Sequence, residues 1–334
     1  MKIVTGLTDH GADAAIATLA AVLEAGELGR HLRPALPVEW GAVRDVQVQV
    51  LQHHLGKRCT VRIGLCTTSG RHDLIGKVYA EDRPDVYEAM DALRNAGFGP
   101  DDEFSIPQPL AYLPALRLLV QEHVHGTAAK AIFLADVERN RTLAAERSAL
   151  WLARFQAVAP QSGPVFDVRQ YRRNLAQWSS SVAALGGPFM DKSCRLFERL
   201  DVAAAALGSN GLCAGHGSYG PAHVLLAGDR TVTIDWDGYD VADPARDAAR
   251  FIIALERLAL GRLRSIRALD AAADVFEETY VASVRPDVVA SLPFYKAAAC
   301  LQLAAYGVYH KVPHWPKKVA AMLDEGLRIL EQHE

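Results

Sequence analysis

The sequence contains no dense run of lysine and arginine and has little net charge of either sign. Its 334 residues carry a formal charge of −3, and the pI is about 6.5. Nucleic-acid-binding proteins usually have a strong basic excess, which this chain lacks. We therefore expect no nucleic-acid partner.

Cysteine is scarce, and no two cysteines form a C-x-x-C pair. An odd number of isolated cysteines favours neither a disulfide framework nor a structural zinc site. We expect small buried apolar residues in a reducing compartment. The five positions are Cys59, Cys66, Cys194, Cys213 and Cys300.

The N-terminal stretch lacks the uninterrupted apolar core of a signal peptide or a membrane span. Asp9, His10, Asp13 and Glu24 interrupt its apolar residues. We predict an amphipathic helix from about Ala12 to Ala25 and a cytoplasmic protein that has no membrane partner.

No internal repeat is visible, but the chain changes character along its length. Residues 46–55, 59–65 and 73–80 are typical of strands, and residues 83–97 follow helical spacing. After about residue 128, alanine and leucine recur at helical spacing, interrupted by a predicted hairpin at 224–237. This pattern predicts an α+β protein with a sheet-rich N-lobe (1–124) and a mainly helical C-lobe (125–334), with a binding site in a cleft between them.

Residues 214–226, AGHGSYGPAHVLL, suggest at first the turn around a catalytic serine. The G-x-S-x-G motif of such a turn requires glycine two residues before the serine, where this chain has His216. Gly220 fits the motif, but a hairpin follows instead of a helix. A serine hydrolase is therefore disfavoured.

The order of motifs resembles the aminoglycoside phosphotransferase and choline kinase-like family, which has a two-lobed protein kinase-like fold. H-G-S-Y-G-P-A-H-V-L at 216–225 matches its H-G-D-x-x-x-x-N-x-L pattern, and a hairpin, an aspartate and D-P-x-x-D follow. The resemblance implies that Asp235 binds Mg²⁺ and that Asp243 and Asp247 belong to the D-P-x-x-D helix start.

The resemblance also implies an ATP site built from upstream residues. Lys77 matches the lysine of the third strand, and Glu88 lies on the following helix, where it would pair with Lys77. Glu122 and Val124 fall in the hinge segment that holds adenine. The expected cofactors are ATP and Mg²⁺, with Mn²⁺ as an alternative.

The chain departs from the family at two positions of the catalytic loop. Ser218 stands at the catalytic aspartate and His223 at the metal-binding asparagine. A serine cannot serve as a carboxylate base, which is worth about 10² to 10⁴ in rate. Imidazole suits Mn²⁺ or Zn²⁺ better than Mg²⁺. In an extended segment, Asp237 would project to the same side as Asp235 and is a candidate substitute base. His216, in the same loop, is a further candidate catalytic residue.

Each of these residues also has an ordinary structural explanation. Lys77 could be a solvated strand residue, Glu88 a surface charge, and Asp247 a helix-start charge. Two functions therefore stay open. One is an ATP-dependent phosphotransferase with impaired or altered catalysis, acting on a small hydroxylated or amino-bearing molecule. The other is a pseudokinase-like protein that binds a nucleotide or metabolite without transfer. The sequence does not indicate an oligomeric state.

Overall fold

A computed structural model describes residues 13–135, 137–207, 211–311 and 313–332. The chain divides into two compact units, Met1–His125 and Gly126–Glu334. The first unit is built on a sheet and the second is mainly helical. The predicted α+β class is confirmed.

The first unit contains a five-stranded antiparallel sheet in the order β1-β2-β3-β6-β5. Single 3₁₀ turns lie at Arg33–Ala35, Val38–Trp40 and Pro114–Leu116. The strands are β1 Val43–His54, β2 Arg58–Thr67, β3 Arg71–Tyr79, β4 Phe104–Ser105, β5 Pro109–Leu113 and β6 Leu118–Glu122, and the helices are α1 Leu19–Leu23, α2 Ala25–Leu32 and α3 Pro84–Asn95.

The predicted hairpin and third strand are present as β1, β2 and β3. The β1–β2 turn contains Gly56 at φ +70°, a backbone conformation that glycine adopts without strain. Alternate residues of β2, from Cys59 to Leu65, point into the core against Ile16 and Leu19. Lys77 of β3 pairs with Thr60, so it lies on the opposite face of the sheet, where it is 6% exposed.

The prediction of one continuous helix ending at Ala25 is wrong. The chain forms α1 and α2 with a break at Glu24, whose backbone is extended (φ −86°, ψ 111°). The Glu24 carboxylate accepts hydrogen bonds from the N–H groups of Gly26 (3.0 Å) and Glu27 (2.6 Å). A side chain that caps these free donors begins a new helix at this point. The predicted first residue, Ala12, lies outside the described residues.

The second unit combines a helical body with short strands. Strands β7, β9 and β10 pair antiparallel, as do β8 and β11, and the predicted hairpin turn at Gly228 joins β9 to β10. A 3₁₀ turn spans Trp236–Gly238. The strands are β7 Thr127–Ala128, β8 Cys213–Gly215, β9 Val224–Ala227, β10 Arg230–Thr233 and β11 Asp240–Ala242, and the helices are α4 Ala129–Leu134, α5 Glu138–Val158, α6 Val168–Ala183, α7 Gly187–Ala206, α8 Ala245–Arg262, α9 Asp270–Ser283, α10 Pro286–His310 and α11 Trp315–Glu331.

Helix α10 is the core helix of this unit. By length and composition, its segment Val288–His310 could cross a membrane, but 67% of the most apolar window is buried inside the protein. Its buried face packs against α8 and α11. This burial is typical of a central helix in a globular unit.

Two buried glutamates lie where α8 and α11 pack. Glu256 of α8 is 5% exposed and Glu325 of α11 is 3% exposed. Arg267 and Arg328 form ion pairs with Glu325. Burial, and then the negative charge of Glu325, raise the pKa of Glu256 to about 7.

The raised pKa of Glu256 predicts a pH-dependent stability. Above about pH 4.5 the unfolded chain releases this proton while the native protein keeps it up to about pH 7, so stability falls as pH rises through this window. For Glu256→Gln we expect near-equal stability to wild type at pH 4 and a gain of about 1–3 kcal/mol at pH 8. Urea unfolding across this range measures the difference. Glu198→Gln, exposed on α7, is the control, and a difference for Glu256→Gln that does not change with pH would contradict the prediction.

Candidate active site

The His-Gly loop, residues 216–223, connects β8 to β9 in the second unit. Gly217 has φ +74°, and a Cβ at this position would lie 1.9 Å from the carbonyl oxygen of Gly238. Only glycine can therefore adopt this conformation in the space available. The absent side chain lets the loop pack directly on the Trp236–Gly238 turn.

Asp247 holds this loop on the first turn of α8. Its Oδ2 accepts hydrogen bonds from the N–H groups of His216 (2.7 Å) and Gly217 (3.4 Å), and the residue is 2% exposed. Asp243 binds the first turn of α8 itself, through Ala245 N–H at 2.9 Å, and also the hydroxyl of Ser291 at 3.2 Å. The two aspartates of D-P-x-x-D therefore organise the loop and the helix start.

His216 lies inside the loop with a defined tautomer. Its Nε2 is 3.0 Å from the carbonyl oxygen of Ile234, which can only accept, so Nε2 carries the proton. Its Nδ1 then accepts from the Ser218 hydroxyl at 3.2 Å and from the Ser218 N–H at 3.3 Å. Burial lowers the pKa of His216 to about 4, so the ring is neutral and a weak base. Such an imidazole activates a serine nucleophile poorly, which further disfavours a serine hydrolase.

His223 and Asp235 form a nitrogen–oxygen pair beside the loop. Nδ1 of His223 donates to the carbonyl oxygen of Ser218 at 2.8 Å, so the other nitrogen, Nε2, faces Oδ2 of Asp235 at 3.6 Å. A lone pair facing a carboxylate is unfavourable unless a proton or a metal ion lies between them. The pair therefore fits a divalent cation, and its nitrogen ligand suits Mn²⁺ better than Mg²⁺.

The prediction of an extended 235–237 segment is wrong. Asp235 adopts a left-handed conformation (φ 70°, ψ 65°), and Trp236–Gly238 is a 3₁₀ turn. Trp236 packs in the aromatic core against Trp151, and its Nε1 donates to the carbonyl oxygen of Thr233 at 3.0 Å. The argument that Asp237 projects beside Asp235 as in a strand therefore has no basis, and Asp237 lies half-buried in the turn.

The ATP-site candidates of the first unit differ in their placement. Lys77 is 6% exposed on β3, whereas Glu88 is exposed on α3. Glu88 forms no ion pair with any described residue. The predicted pair of Lys77 and Glu88 is therefore not formed in the structure. Glu122 ends β6 and accepts from the N–H of Gln108 at 3.1 Å, and Val124 is buried.

The structure also groups residues that sequence reasoning missed. The ligand atoms of Asp73, His123 and His125 lie within 4.8 Å of one another in the first unit. Arg62 already pairs with Asp73 at 2.7 Å, and its permanent charge opposes a second cation. The pairing of β3 with β6 brings these residues together. The sequence does not show this grouping, because about fifty residues separate Asp73 from the two histidines.

The tight packing at Gly217 predicts a large effect of one methyl group. Gly217→Ala should destabilise the protein by about 3 kcal/mol or more, because a positive φ and a backbone clash act together. Gly228→Ala is a matched control with φ +62° and no atom within 4 Å of the new Cβ, so it should cost about 1 kcal/mol. Urea denaturation compares the two, and equal losses would refute a special role for Gly217.

Comparisons with known proteins agree with this architecture. The sequence model of the phosphotransferase enzyme family (APH) matches residues 67–285. A search of curated proteins finds no significant match.

Solved structures supply the fold. A choline/ethanolamine kinase family protein from Mesorhizobium loti has a TM-score of 0.58 at 15% identity, covering 92% of this chain and 95% of its own. A thermostable mutant of aminoglycoside phosphotransferase APH(4)-Ia, in ternary complex with ADP and hygromycin B, has a TM-score of 0.57 at 15% identity, covering 88% and 95%. A glucosamine kinase in complex with glucosamine, ADP and inorganic phosphate has a TM-score of 0.59 at 17% identity, covering 86% and 84%.

At these identities the neighbours establish the protein kinase-like fold alone. The family match spans more than half of the chain and includes the His-Gly loop, Asp235 and the D-P-x-x-D helix start. The chain therefore belongs to the phosphotransferase enzyme family.

Proposed function

We propose that the protein is an ATP-dependent phosphotransferase that acts on a small hydroxylated or amino-bearing molecule, with catalysis altered at Ser218. The observation that carries the proposal is the pair of His223 Nε2 and Asp235 Oδ2, 3.6 Å apart beside the His-Gly loop. The family match and the ADP-bound neighbours support it. On this proposal residues 1–124 and 125–334 are the two lobes of a cytoplasmic kinase-like enzyme.

Phosphoryl transfer has a loose transition state, so the enzyme mainly supplies cations and positions the reacting groups. A divalent ion, when bound, would neutralise phosphate charge, and His223 and Asp235 would hold it. Lys77 would contact a phosphate oxygen, and the segment from Glu122 to Val124 would hold adenine. Each residue is thus assigned to the part of the nucleotide whose charge or shape it complements.

Ser218 would position the acceptor and would not deprotonate it. Its hydroxyl donates to Nδ1 of His216, which leaves the oxygen lone pairs of Ser218 able to accept from an acceptor hydroxyl. The neutral His216 is a weak base, so little general-base assistance is available. Transfer should therefore be slow but not abolished, because cations and positioning supply the larger part of the rate in a loose transition state.

Nucleotide binding should depend on the metal ligands. ADP with Mn²⁺ at a hundredfold excess over Kd should stabilise wild type by about 2.7 kcal/mol, seen as a rise in Tm, and Mg²⁺ should be less effective. Asp235→Ala should abolish the metal-dependent part of the shift.

His223→Asn should reverse the preference toward Mg²⁺, because an amide oxygen replaces the imidazole nitrogen. His31→Asn, a half-exposed site on α2, is the control, and no shift with any nucleotide and metal would refute the proposal.

Ser218→Asp separates a slow enzyme from a protein that only binds. In an enzyme, the new carboxylate should raise ADP formation by a factor of up to about 10² to 10⁴. In a pseudokinase-like protein, activity should stay at background, and the like charge of Asp235 should lower stability. Coupled assay of ADP release measures the rate, with Ser218→Ala as the control. Loss of hydrolysis of an activated ester in Ser218→Ala would instead indicate a serine hydrolase.

A further inference from the structure

A cavity of about 640 Å³ lies beside the His-Gly loop, entirely within the second unit. Loop residues from Ser218 to His223 form one wall, and helices α8 and α10 with the start of α11 form the others. Its volume suits a small molecule. The side chains of α8 and α11 that line it include Arg250, Ala254, Arg257, Leu258, Arg262 and Lys318.

One face of α8 forms the wall next to the loop. Arg250, Ala254 and Arg257 recur at spacings of four and three residues, which places them on the same side of a helix. Gly220 of the loop would bring a Cβ within 3.8 Å of Ala254. The loop therefore packs close to α8, and the two arginines lie on that same helix face, before and after Ala254.

The charge of this wall is of one sign. Five lysine and arginine side chains line the cavity, and no aspartate or glutamate occurs among the described residues that line it. Within the described parts of the chain, none of the five forms an ion pair with a carboxylate. By contrast, Arg246, one turn earlier on α8, binds both oxygens of Asp240 at 2.6 Å. The five cations are Lys130, Arg250, Arg257, Arg262 and Lys318.

Arg250 is one of the half-buried cations of this wall. Its only hydrogen bond to a described residue is a long contact of 3.5 Å to Oε1 of Gln302. Burial lowers the pKa of Arg250 more than the negative charge of Asp247 raises it. Asp247 itself is bound to the loop backbone. Desolvating a guanidinium without a bound carboxylate is unfavourable, and an incoming anion would offset part of that cost.

Two further features prepare the cavity for a ligand. The Arg257 guanidinium lies 4.7 Å from the centre of the Tyr306 ring, a cation–π contact that restricts its position. A second cavity of about 340 Å³ shares Arg250, Ala299 and Gln302 with the first, so Arg250 faces both. A guanidinium in this position can bind a carboxylate or phosphate through two parallel hydrogen bonds.

We propose that this cavity binds an acceptor with an anionic group, a carboxylate or a phosphate monoester, through Arg250 and Arg257. This inference rests on the proposed phosphotransferase function. A hydroxyl group of the same acceptor lies at Ser218. The oxygen of this acceptor hydroxyl forms a bond to the γ-phosphorus of ATP, and the bond between that phosphorus and ADP breaks. The hydroxyl proton passes to water. Polycationic acceptors are repelled by the same wall.

Matched probes test the charge requirement. D-gluconate and D-glucitol differ at one carbon, as carboxylate or hydroxymethyl, and D-glucose 6-phosphate and D-glucose differ by a phosphate. At constant ionic strength and saturating ADP with Mn²⁺, calorimetry should detect binding of one or both anions. Neutral partners and glucosamine should bind at least tenfold more weakly. The two anions distinguish a carboxylate site from a phosphate site.

Variants locate the binding. Arg250→Gln and Arg257→Gln should each weaken anion binding at least tenfold and leave the Kd for ADP unchanged. Arg154→Gln removes an exposed charge from α5 and should leave both affinities as in wild type. Tm measured for each variant shows whether it is folded. Rescue by Arg250→Lys should be partial, because lysine keeps the charge but loses the two-point geometry.

The possible failures are distinguishable. Equal binding of neutral and anionic partners, or of wild type and both arginine variants, would overturn the proposal. Competition between the anion and ADP would also overturn it, since the cavity would then belong to the nucleotide phosphates. Anion binding without any nucleotide binding would retain the anion site and refute the phosphotransferase function.

Discussion

The hydrogen bonds from the His216 and Gly217 amides to the Asp247 carboxylate determine the geometry of the candidate site. They hold the start of the His-Gly loop on the first turn of α8. From this fixed start, His216 binds the carbonyl oxygen of Ile234, the residue before Asp235, and so connects the loop to the segment that carries Asp235. The backbone at the start of the loop is therefore held by a buried carboxylate.

The two departures from the family pattern are structurally compatible with each other. Ser218 supplies a hydroxyl to His216 and a carbonyl oxygen to His223, so its side chain and its backbone both bind neighbouring imidazoles. The bond to the carbonyl sets which nitrogen of His223 faces Asp235. Ser218, at the position of the family's aspartate, therefore orients His223 toward Asp235 through its backbone.

The strands and the hairpins could be predicted because alternation and glycine turns are local properties of the sequence. The break at Glu24 was missed, since a capping glutamate differs from a surface glutamate only through its contacts with Gly26 and Glu27. The turn after Asp235 was missed because the burial of Trp236 determines it, and an apolar run followed by D-W-D also suits a strand. The D-P-x-x-D motif predicted that Asp243 and Asp247 lie at the start of α8, and the structure places them there. The cationic wall could not be predicted from the sequence, because Arg250 and Arg257 of α8 lie beside Lys318 of α11 only in the folded unit.

The helical geometry of α8 limits the length of a molecule that can use this wall. Arg250 and Arg257 are seven residues apart, which corresponds to about 10 Å along a helix axis. Both side chains leave the same face of α8 and are long, so their guanidinium groups can converge on one anionic group that lies between them. The distance between charge and reactive hydroxyl, more than the chemical class of the acceptor, would then decide which hydroxyl of a polyol lies at Ser218.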